Sequence, residues 1–215
     1  MLTLRPRLCT KGFGLIELMV AMVLGLLVVG AVLALVVSIM RSNRQTLQAT
    51  RLTQELRATL SVVSSDLRRA RSVADPLSKS VPPNVNPFTA VKTGTAGCAI
   101  YGYEIEAGDV IVPRWHVIKL DGPNVVLFES TAQLTDCAPD LAPIRIGSDQ
   151  VEVTSLTFTP ATTAPSSPPQ ATDESVARNF VVTISGRLRN PDADLANVIR
   201  TVSQDVYVRS VGAGI

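Results

Sequence analysis

The hydrophobic residues of this chain follow two patterns, and the change between them falls near residue 40. From Phe13 to Met40 the sequence is almost continuously apolar, reading FGLIELMVAMVLGLLVVGAVLALVVSIM. This run exceeds the roughly 20 apolar residues that a helix needs to cross a bilayer. A secretory signal peptide would have a shorter apolar region followed by a small-residue cleavage site, whereas this run leads into more helix. The pattern therefore predicts one membrane-spanning helix.

Beyond Met40 the composition becomes polar while a helical period continues. Apolar residues recur at spacings of three and four, namely Leu52, Leu56, Leu60, Val63, Leu67 and Ala70. Polar residues fall on the other face, namely Arg51, Gln54, Arg57, Ser61, Arg68 and Arg69. One helix is therefore predicted from Phe13 to about Val73, with its leucine stripe packed on a core. Four prolines are predicted to end it and to form a loop: Pro76, Pro82, Pro83 and Pro87.

After the proline-rich stretch the hydrophobic period becomes two, which is typical of strands. The predicted strands cover residues 98–105, 110–120, 124–130, 151–159, 179–189 and 198–209. The sequence Asp121-Gly122-Pro123-Asn124 predicts a hairpin turn. The tract from Pro160 to Ser175, rich in Pro, Ser and Thr, predicts an exposed loop. A helix stripe that covers a mostly antiparallel sheet is an α+β architecture.

The charge distribution separates the first residues from the rest. The formal net charge is +2, but Arg5, Arg7 and Lys11 all precede Gly12 and no acidic residue does. Without residues 1–12 the formal charge becomes −1. No cluster of Lys and Arg is interleaved with aromatic residues, so we expect no direct nucleic-acid partner.

The three cysteines differ in their surroundings. Cys9 lies in the basic segment, whereas Cys98 and Cys137 lie in the polar part of the chain, across the membrane if the N-terminus stays cytoplasmic. An even pair in an oxidising compartment favours a disulfide. Two unrelated buried thiols are the alternative. The absence of CxxC spacing and of companion histidines argues against a metal site.

Glu17 is the only ionisable residue inside the apolar run. A lone carboxylate near hydrocarbon costs a few kcal/mol unless it finds a partner. Glu17 could extend into the lipid headgroups, or it could serve a proton relay, although a single helix has no companions to line a pathway. A third possibility is that cleavage after Gly12 creates an ammonium on Phe13, which Glu17 of a neighbouring subunit would pair with.

The sequence offers little for catalysis. Its single histidine, His116, lies beside Trp115 in a predicted strand, where a histidine is more often a side chain satisfied by its neighbours. The sequence contains no G-x-S-x-G, P-loop or G-x-G-x-x-G motif. The aromatic residues Tyr101, Tyr103 and Trp115 could form a binding patch, but aromatic residues at alternating strand positions more often fill the core. We therefore expect neither an enzyme nor a cofactor or metal site.

The segment KGFGLIELMVAM resembles the prepilin-type cleavage and methylation motif of type IV pilins and type II secretion pseudopilins. The resemblance implies that a prepilin peptidase cuts between Gly12 and Phe13 and methylates the new N-terminus of Phe13. It also assigns Glu17 to the glutamate at the fifth mature position, with a role in assembly by charge pairing. Gly14 departs from the motif, which more often has Thr or Ser there, and adds freedom to the first helical turn.

The resemblance completes the predicted organisation of the chain. It implies a leader at 1–12, a transmembrane and filament-core helix at 13–40, an amphipathic continuation at 41–75 and a periplasmic β-rich head at 76–215. The pilin fold, in which the second half of the long helix packs on a β-sheet, agrees with the α+β class. The protein would sit in the inner membrane with a cytoplasmic leader, and later in a pilus at the cell surface.

Three short segments, SDLRRARSV, NPFTAV and GCAIYGYEI, are similar to those of PilW-like minor pilins. This implies a minor pilin that takes part in assembly or initiation of a type IV pilus, a filament that serves twitching motility and cell adhesion. The implied partners are the prepilin peptidase, other major and minor pilins, the inner membrane and the pilus assembly machinery. Two alternatives stay open, a type II secretion pseudopilin and a pilus-tip adhesin.

Overall fold

The computed structural model describes residues 12, 14–76, 86–88, 90–95, 97–160, 174–175 and 179–208. Two compact units make up the chain, Met1–Thr46 and Leu47–Ile215. One α-helix, α1 (Leu15–Leu67), contributes its first part to one unit and its second part to the other.

The second unit, which we call the head, contains the described strands. They are β1 (Val91–Lys92), β2 (Cys98–Ala107), β3 (Val110–Asp121), β4 (Asn124–Ser130), β5 (Ile144–Ile146), β6 (Val151–Pro160), β7 (Glu174–Ser175), β8 (Asn179–Leu188) and β9 (Arg200–Tyr207). A short 3₁₀ helix, Ala193–Leu195, precedes β9.

The described strands form two antiparallel sheets. The larger sheet has the order β5-β4-β3-β2-β1-β7, and the smaller has the order β6-β8-β9. The helix α1 packs on both, so the predicted α+β class, with a long N-terminal helix on mostly antiparallel structure, is confirmed. The sequence suggested a single sheet, but the tertiary structure divides the strands between two.

The predicted leucine stripe lies in the core of the head. All six of its residues are buried, with Leu56, Val63 and Leu67 at 0% exposure. They pack against inward-facing residues of both sheets, among them Tyr101 and Ile184. The six polar residues predicted for the other helix face are all exposed. The period of the sequence therefore identified both faces of this half of the helix correctly.

A second, smaller core covers the other face of the larger sheet. It consists of Cys98, Ile100, Val117, Val126 and Phe128, with Leu134 and Cys137 packed against it. Successive strand residues point to opposite faces. Ile100 and Val117 therefore face away from their neighbours Tyr101 and Ile118, which belong to the core under α1. The loop 131–143 supplies the residues that cover this outer face.

The helix ends earlier than its hydrophobic period predicted. It stops at Leu67 rather than near Val73, and the next residues form a tight turn with Arg71 at φ +66°. The N–H of Arg71 donates to the carbonyl of Gly102 at 2.8 Å, and the N–H of Glu104 donates to the carbonyl of Ser72 at 2.9 Å. The chain therefore leaves the helix because its backbone pairs with β2. Pro76 lies beyond this point and does not end the helix.

Each of the six predicted strands is present, with ends shifted by at most a few residues. The short strands β1, β5 and β7 were not predicted. The predicted hairpin turn joins β3 to β4, where Gly122 has φ +55°. Of the predicted loop from Pro160 to Ser175, residues 161–173 lie outside the described residues, as do Pro82 and Pro83. The last two residues of the predicted loop, Glu174 and Ser175, form β7 and pair with β1. The prediction of a loop is therefore wrong for these two residues.

Candidate functional site

In sequence, the residues predicted for processing and assembly fall at the start of α1 or directly before it. Gly12 is exposed, Phe13 lies outside the described residues, and Gly14 immediately precedes the helix. The N–H of Gly14 donates to Oε2 of Glu17 at 3.0 Å, while its carbonyl accepts the N–H groups of Glu17 and Leu18. Glu17 therefore occupies the third helical position and reaches back to the residue before the helix, as the acid of a capping box does. This bond compensates for the freedom that Gly14 brings to the first turn.

The helix residues that follow present apolar side chains to their surroundings. From Leu15 to Met40 every described residue is exposed, and the large apolar side chains in this span, such as Leu18, Leu27 and Ile39, have 39–80% of their surface accessible. By length and composition this helix is able to cross a membrane. The mean hydropathy of its most apolar 18 residues is 3.0, and none of these residues is buried. An apolar surface of this extent requires lipid or other protein around it.

A polar cluster lies where the end of α1 meets the larger sheet. Asp66 on α1 accepts a short hydrogen bond from the Tyr101 hydroxyl, and its Oδ2 is 2.6 Å from Nδ1 of His116. The Tyr103 hydroxyl is 3.4 Å from Oδ1 of Asp66 and 3.3 Å from Nε2 of His116. Tyr101 and Tyr103 share one face of β2, and Tyr101 is paired directly with His116 on β3. The strand register therefore brings these groups under the helix end.

Electrostatics favour an ionised Asp66 in this cluster. Burial raises the pKa of the carboxyl, but the hydrogen bond and charge of His116, the Tyr101 hydroxyl and the charge of Arg69 together hold that pKa below its ordinary value. Burial and the Asp66 carboxylate raise the pKa of Tyr101 well above its ordinary value, and raise the pKa of Tyr103 to about 12. Both hydroxyls therefore keep their protons and donate to Asp66.

The arrangement of the cluster fits a structural contact between helix and sheet. Tyr101, Tyr103 and His116 are 0%, 3% and 4% exposed, so their polar atoms face one another and not solvent. The Arg69 guanidinium covers the outside, 4.5 Å from the centre of the Tyr103 ring. The prediction that Tyr101 and Tyr103 fill the core is confirmed, but it is wrong for Trp115, which is half-buried and packs against Phe88. His116 is satisfied by its neighbours as expected.

Sequence reasoning missed Asp66 as the centre of this cluster. A signal for it was present, because Asp66 follows Val63 by three residues and precedes Leu67, so it lies at the edge of the buried stripe. A carboxylate at such a position needs hydrogen-bond partners. Which strand would supply them depends on the tertiary structure.

A disulfide joins Cys98, at the start of β2, to Cys137 in the loop 131–143. Their Cα atoms are 6.2 Å apart, and 39 positions separate them along the chain. Cys98 is 2% exposed and belongs to the outer core of the larger sheet, together with Ile100 and Phe128. The bond therefore holds the loop against the face that α1 does not cover.

Comparison with known proteins identifies two regions of the chain. Residues 45–208 match the profile of a family described as prepilin peptidase-dependent protein B. Residues 7–39 match the prokaryotic N-terminal methylation motif. Among solved structures, a type IV-like pilin from Thermus thermophilus is similar over 74% of this chain and 95% of its own, with 12% identity and a TM-score of 0.45. No curated protein matches the chain.

Proposed function

The chain belongs to the prepilin peptidase-dependent protein B family, and from this premise we propose that it is a minor pilin that helps to assemble or initiate a type IV pilus. The family profile covers most of the chain, and the methylation motif of prepilins covers the start of the apolar helix. The protein is therefore type IV pilin-like and depends on prepilin peptidase. The minor-pilin role goes beyond this and rests on the short PilW-like segments together with the exposed helix.

One observation carries the proposal. The first part of α1 is apolar, its residues are exposed from Leu15 to Met40, and it contains a single carboxylate, Glu17. The same helix then continues into the packed head. Lipid would cover this helix in the inner membrane, with the leader on the cytoplasmic side and the head in the periplasm. In a pilus the helices of other subunits would cover it instead. One apolar surface thus serves both states.

Processing would convert the start of the helix into an assembly site. Cleavage between Gly12 and Phe13 leaves a terminal ammonium on Phe13, which the peptidase then methylates. Glu17 would pair with the ammonium of a neighbouring subunit, and in a low-dielectric filament core that attraction is strong enough to set the axial register. In the uncut chain Glu17 Oε2 already accepts a backbone N–H, so the carboxylate is positioned near the cleavage point.

The proposal is tested by mass spectrometry and by fractionation of the full chain in its host. We expect the mature protein to begin with N-methylated Phe13 in cells with prepilin peptidase, and with Met1 in cells without it. We also expect the protein in sheared pili, and fewer pili when its gene is deleted. An intact Met1 start in peptidase-competent cells would contradict processing. Normal pili together with failed export of folded proteins would identify a secretion pseudopilin instead.

A further inference from the structure

Among the strands that the structure describes, the smaller sheet of the head ends at one unpaired edge. Strand β9 pairs with β8 on one side, and no described strand pairs with its other side. At the opposite end of this sheet, β6 is joined to the larger sheet, because the N–H of Val153 donates to the carbonyl of Pro123 at 2.9 Å. With eight residues, β9 is also longer than β5 and β7, the edge strands of the larger sheet. An open strand edge presents unpaired N–H and C=O groups that another strand can use.

The centre of β9 has none of the features that usually prevent such pairing. Natural edge strands carry lysine, proline or a bulge at the exposed edge. The central residues Thr201–Gln204 read TVSQ, with neither lysine nor proline, and their pairing with β8 is regular. The nearest charged residues, Arg200 and Asp205, lie on either side of this stretch. The centre of the edge is therefore free to accept a strand.

A groove of about 460 Å³ runs between this edge and α1. It is lined by Arg57, Leu60, Thr201, Val202, Ser203 and Gln204. Side chains of successive strand residues point to opposite faces of the sheet. Because four consecutive residues of β9 line the groove, their backbone at the unpaired edge must also line it. Leu60 and Val202 supply an apolar floor, and Arg57 supplies a cation at the exposed side. The groove therefore combines backbone hydrogen-bonding groups with an apolar and a charged contact.

The charge of the groove indicates what would fill it. Arg57 is exposed and forms no ion pair with any residue that the structure describes. None of the other lining residues carries a charge. A carboxylate on the occupant would therefore meet a cation without competition from an acid of the groove.

We propose that this groove binds an extended segment of a neighbouring pilin-like subunit, which adds to β9 as a fourth strand. Backbone hydrogen bonds to Thr201–Gln204 would supply affinity, and alternate side chains would supply specificity. One side chain, apolar, would contact Leu60 and Val202, and an acidic one would face Arg57. Four paired residues span about 13 Å. The inference rests on the proposed function, since it names a contact between the heads of assembled subunits.

Photo-crosslinking of the full chain in its host tests this inference. A photoreactive amino acid replaces Gln204 in the groove, and in a matched control it replaces Thr157 on the outer face of β6. Mass spectrometry then identifies the linked peptide. We expect Gln204 to link to an acid-containing extended segment of another pilin-like subunit, and Thr157 to give no such link.

Charge reversal provides a second arm of the test. Arg57→Glu should lower the yield of the Gln204 link by about tenfold, the equivalent of roughly 1.4 kcal/mol. Arg51→Glu is the matched control, since Arg51 is an exposed arginine on the same helix outside the groove, and it should leave the yield unchanged. Fluorescence of Trp115, the only tryptophan, verifies that each variant head is folded.

Three results would overturn the inference. They are a link from Gln204 to this chain's own residues 209–215, a link only to proteins that are not pilin-like, and an unchanged yield in Arg57→Glu. If no link forms, either the groove assignment or the proposed function is wrong, and co-purification distinguishes the two. If the chain still co-purifies with pilins, only the groove assignment fails, whereas a chain that associates with no pilin contradicts the proposed function itself.

Discussion

At the end of α1, the single carboxylate of Asp66 contacts three side chains of the larger sheet. Tyr101, Tyr103 and His116 all lie within hydrogen-bonding distance of it. Hydrogen bonds to a charged group contribute about 1.5 to 3 kcal/mol each, and a buried polar group left without its partner is costly. The residues facing Asp66 would lose their acceptor together if it were replaced. The cluster therefore makes the helix end sensitive to one residue.

We predict that Asp66→Asn lowers the free energy of unfolding by roughly 2 to 4 kcal/mol at neutral pH. The pKa of Asp66 is lower in the folded protein than its ordinary 3.8. A lowered pKa contributes stability above the unfolded value, and this contribution disappears as the pH falls through the folded pKa. The difference between wild type and Asp66→Asn should therefore shrink below about pH 4.

Urea unfolding of the detergent-solubilised full chain, followed by Trp115 fluorescence, measures this difference at each pH. Trp115 packs against Phe88, with ring centres 5.1 Å apart, so its signal reports on the head. The exposed Asp205 offers a control, and Asp205→Asn should change stability by less than about 0.5 kcal/mol. A deficit of Asp66→Asn that stays constant down to pH 2 would show that its ionisation does not contribute.

At the scale of elements, the packing of α1 on the sheets depends on close approach at particular points. Gly186 on β8 leaves room for Leu56 of the helix, and a Cβ at Gly186 would come within 2.8 Å of the Glu152 carbonyl and 2.9 Å of a Leu56 methyl. The carbonyl belongs to a paired strand and has little freedom to move. The small sheet can therefore approach the helix only because this position has no side chain.

We predict that Gly186→Ala destabilises the head by about 1 to 3 kcal/mol, the usual cost of overpacking a core. Thr183→Ala is a suitable control, because Thr183 lies on β8 but points to the outer face, and its removal should cost less than about 0.5 kcal/mol. The same fluorescence-detected unfolding measures both. Equal stability of Gly186→Ala and wild type would contradict this prediction, because it would show that the contact tolerates an added methyl group.

The loop 131–143 is the element that the disulfide controls. A bridge between Cys98 and Cys137 closes a loop of about 40 residues, which in the chain-entropy model stabilises the folded state by roughly 4 kcal/mol. We predict that the double change Cys98→Ala, Cys137→Ala lowers the free energy of unfolding by about this amount. Addition of a reductant should destabilise wild type to a similar extent. A reductant effect on the double variant would instead point to a different origin.

At the scale of the whole molecule, one helix joins two environments. Its apolar residues from 15 to 40 are exposed, and its stripe from Leu52 to Leu67 is buried in the head. Glu17 is the sole carboxylate of the apolar part, and the proposed role in joining subunits by charge pairing rests on it. Breaking a buried ion pair costs about 3 to 5 kcal/mol.

We therefore predict that the Glu17→Ala chain is still cut and methylated but enters pili at least about tenfold less well than wild type. Quantitative mass spectrometry of sheared pili and of membranes measures both properties. Glu55→Ala, which changes a glutamate of the same helix within the head, should enter pili normally. Unchanged incorporation of Glu17→Ala would exclude the charge-pairing role.

The sequence by itself determined the features that depend on neighbouring residues. The apolar run, the prepilin motif, the stripe of α1 and six of the strands all follow from local composition or from a period of 3.6 or 2. These patterns are sufficient to predict the fold class. The motif also predicts the processing site between Gly12 and Phe13, and that site stays a prediction. A long periodic segment constrains its own structure because each residue repeats the same requirement for burial or exposure.

Only the tertiary structure decided features that join distant parts of the chain. The helix ends at Leu67 because Arg71 bonds to Gly102, 31 positions later. Asp66 lies at the centre of a cluster because strand register brings Tyr101 and His116 to it. The division into two sheets, and with it the open edge of β9, likewise depends on which strands pair. Local sequence does not specify such pairings, since their energy comes from contacts that exist only after folding.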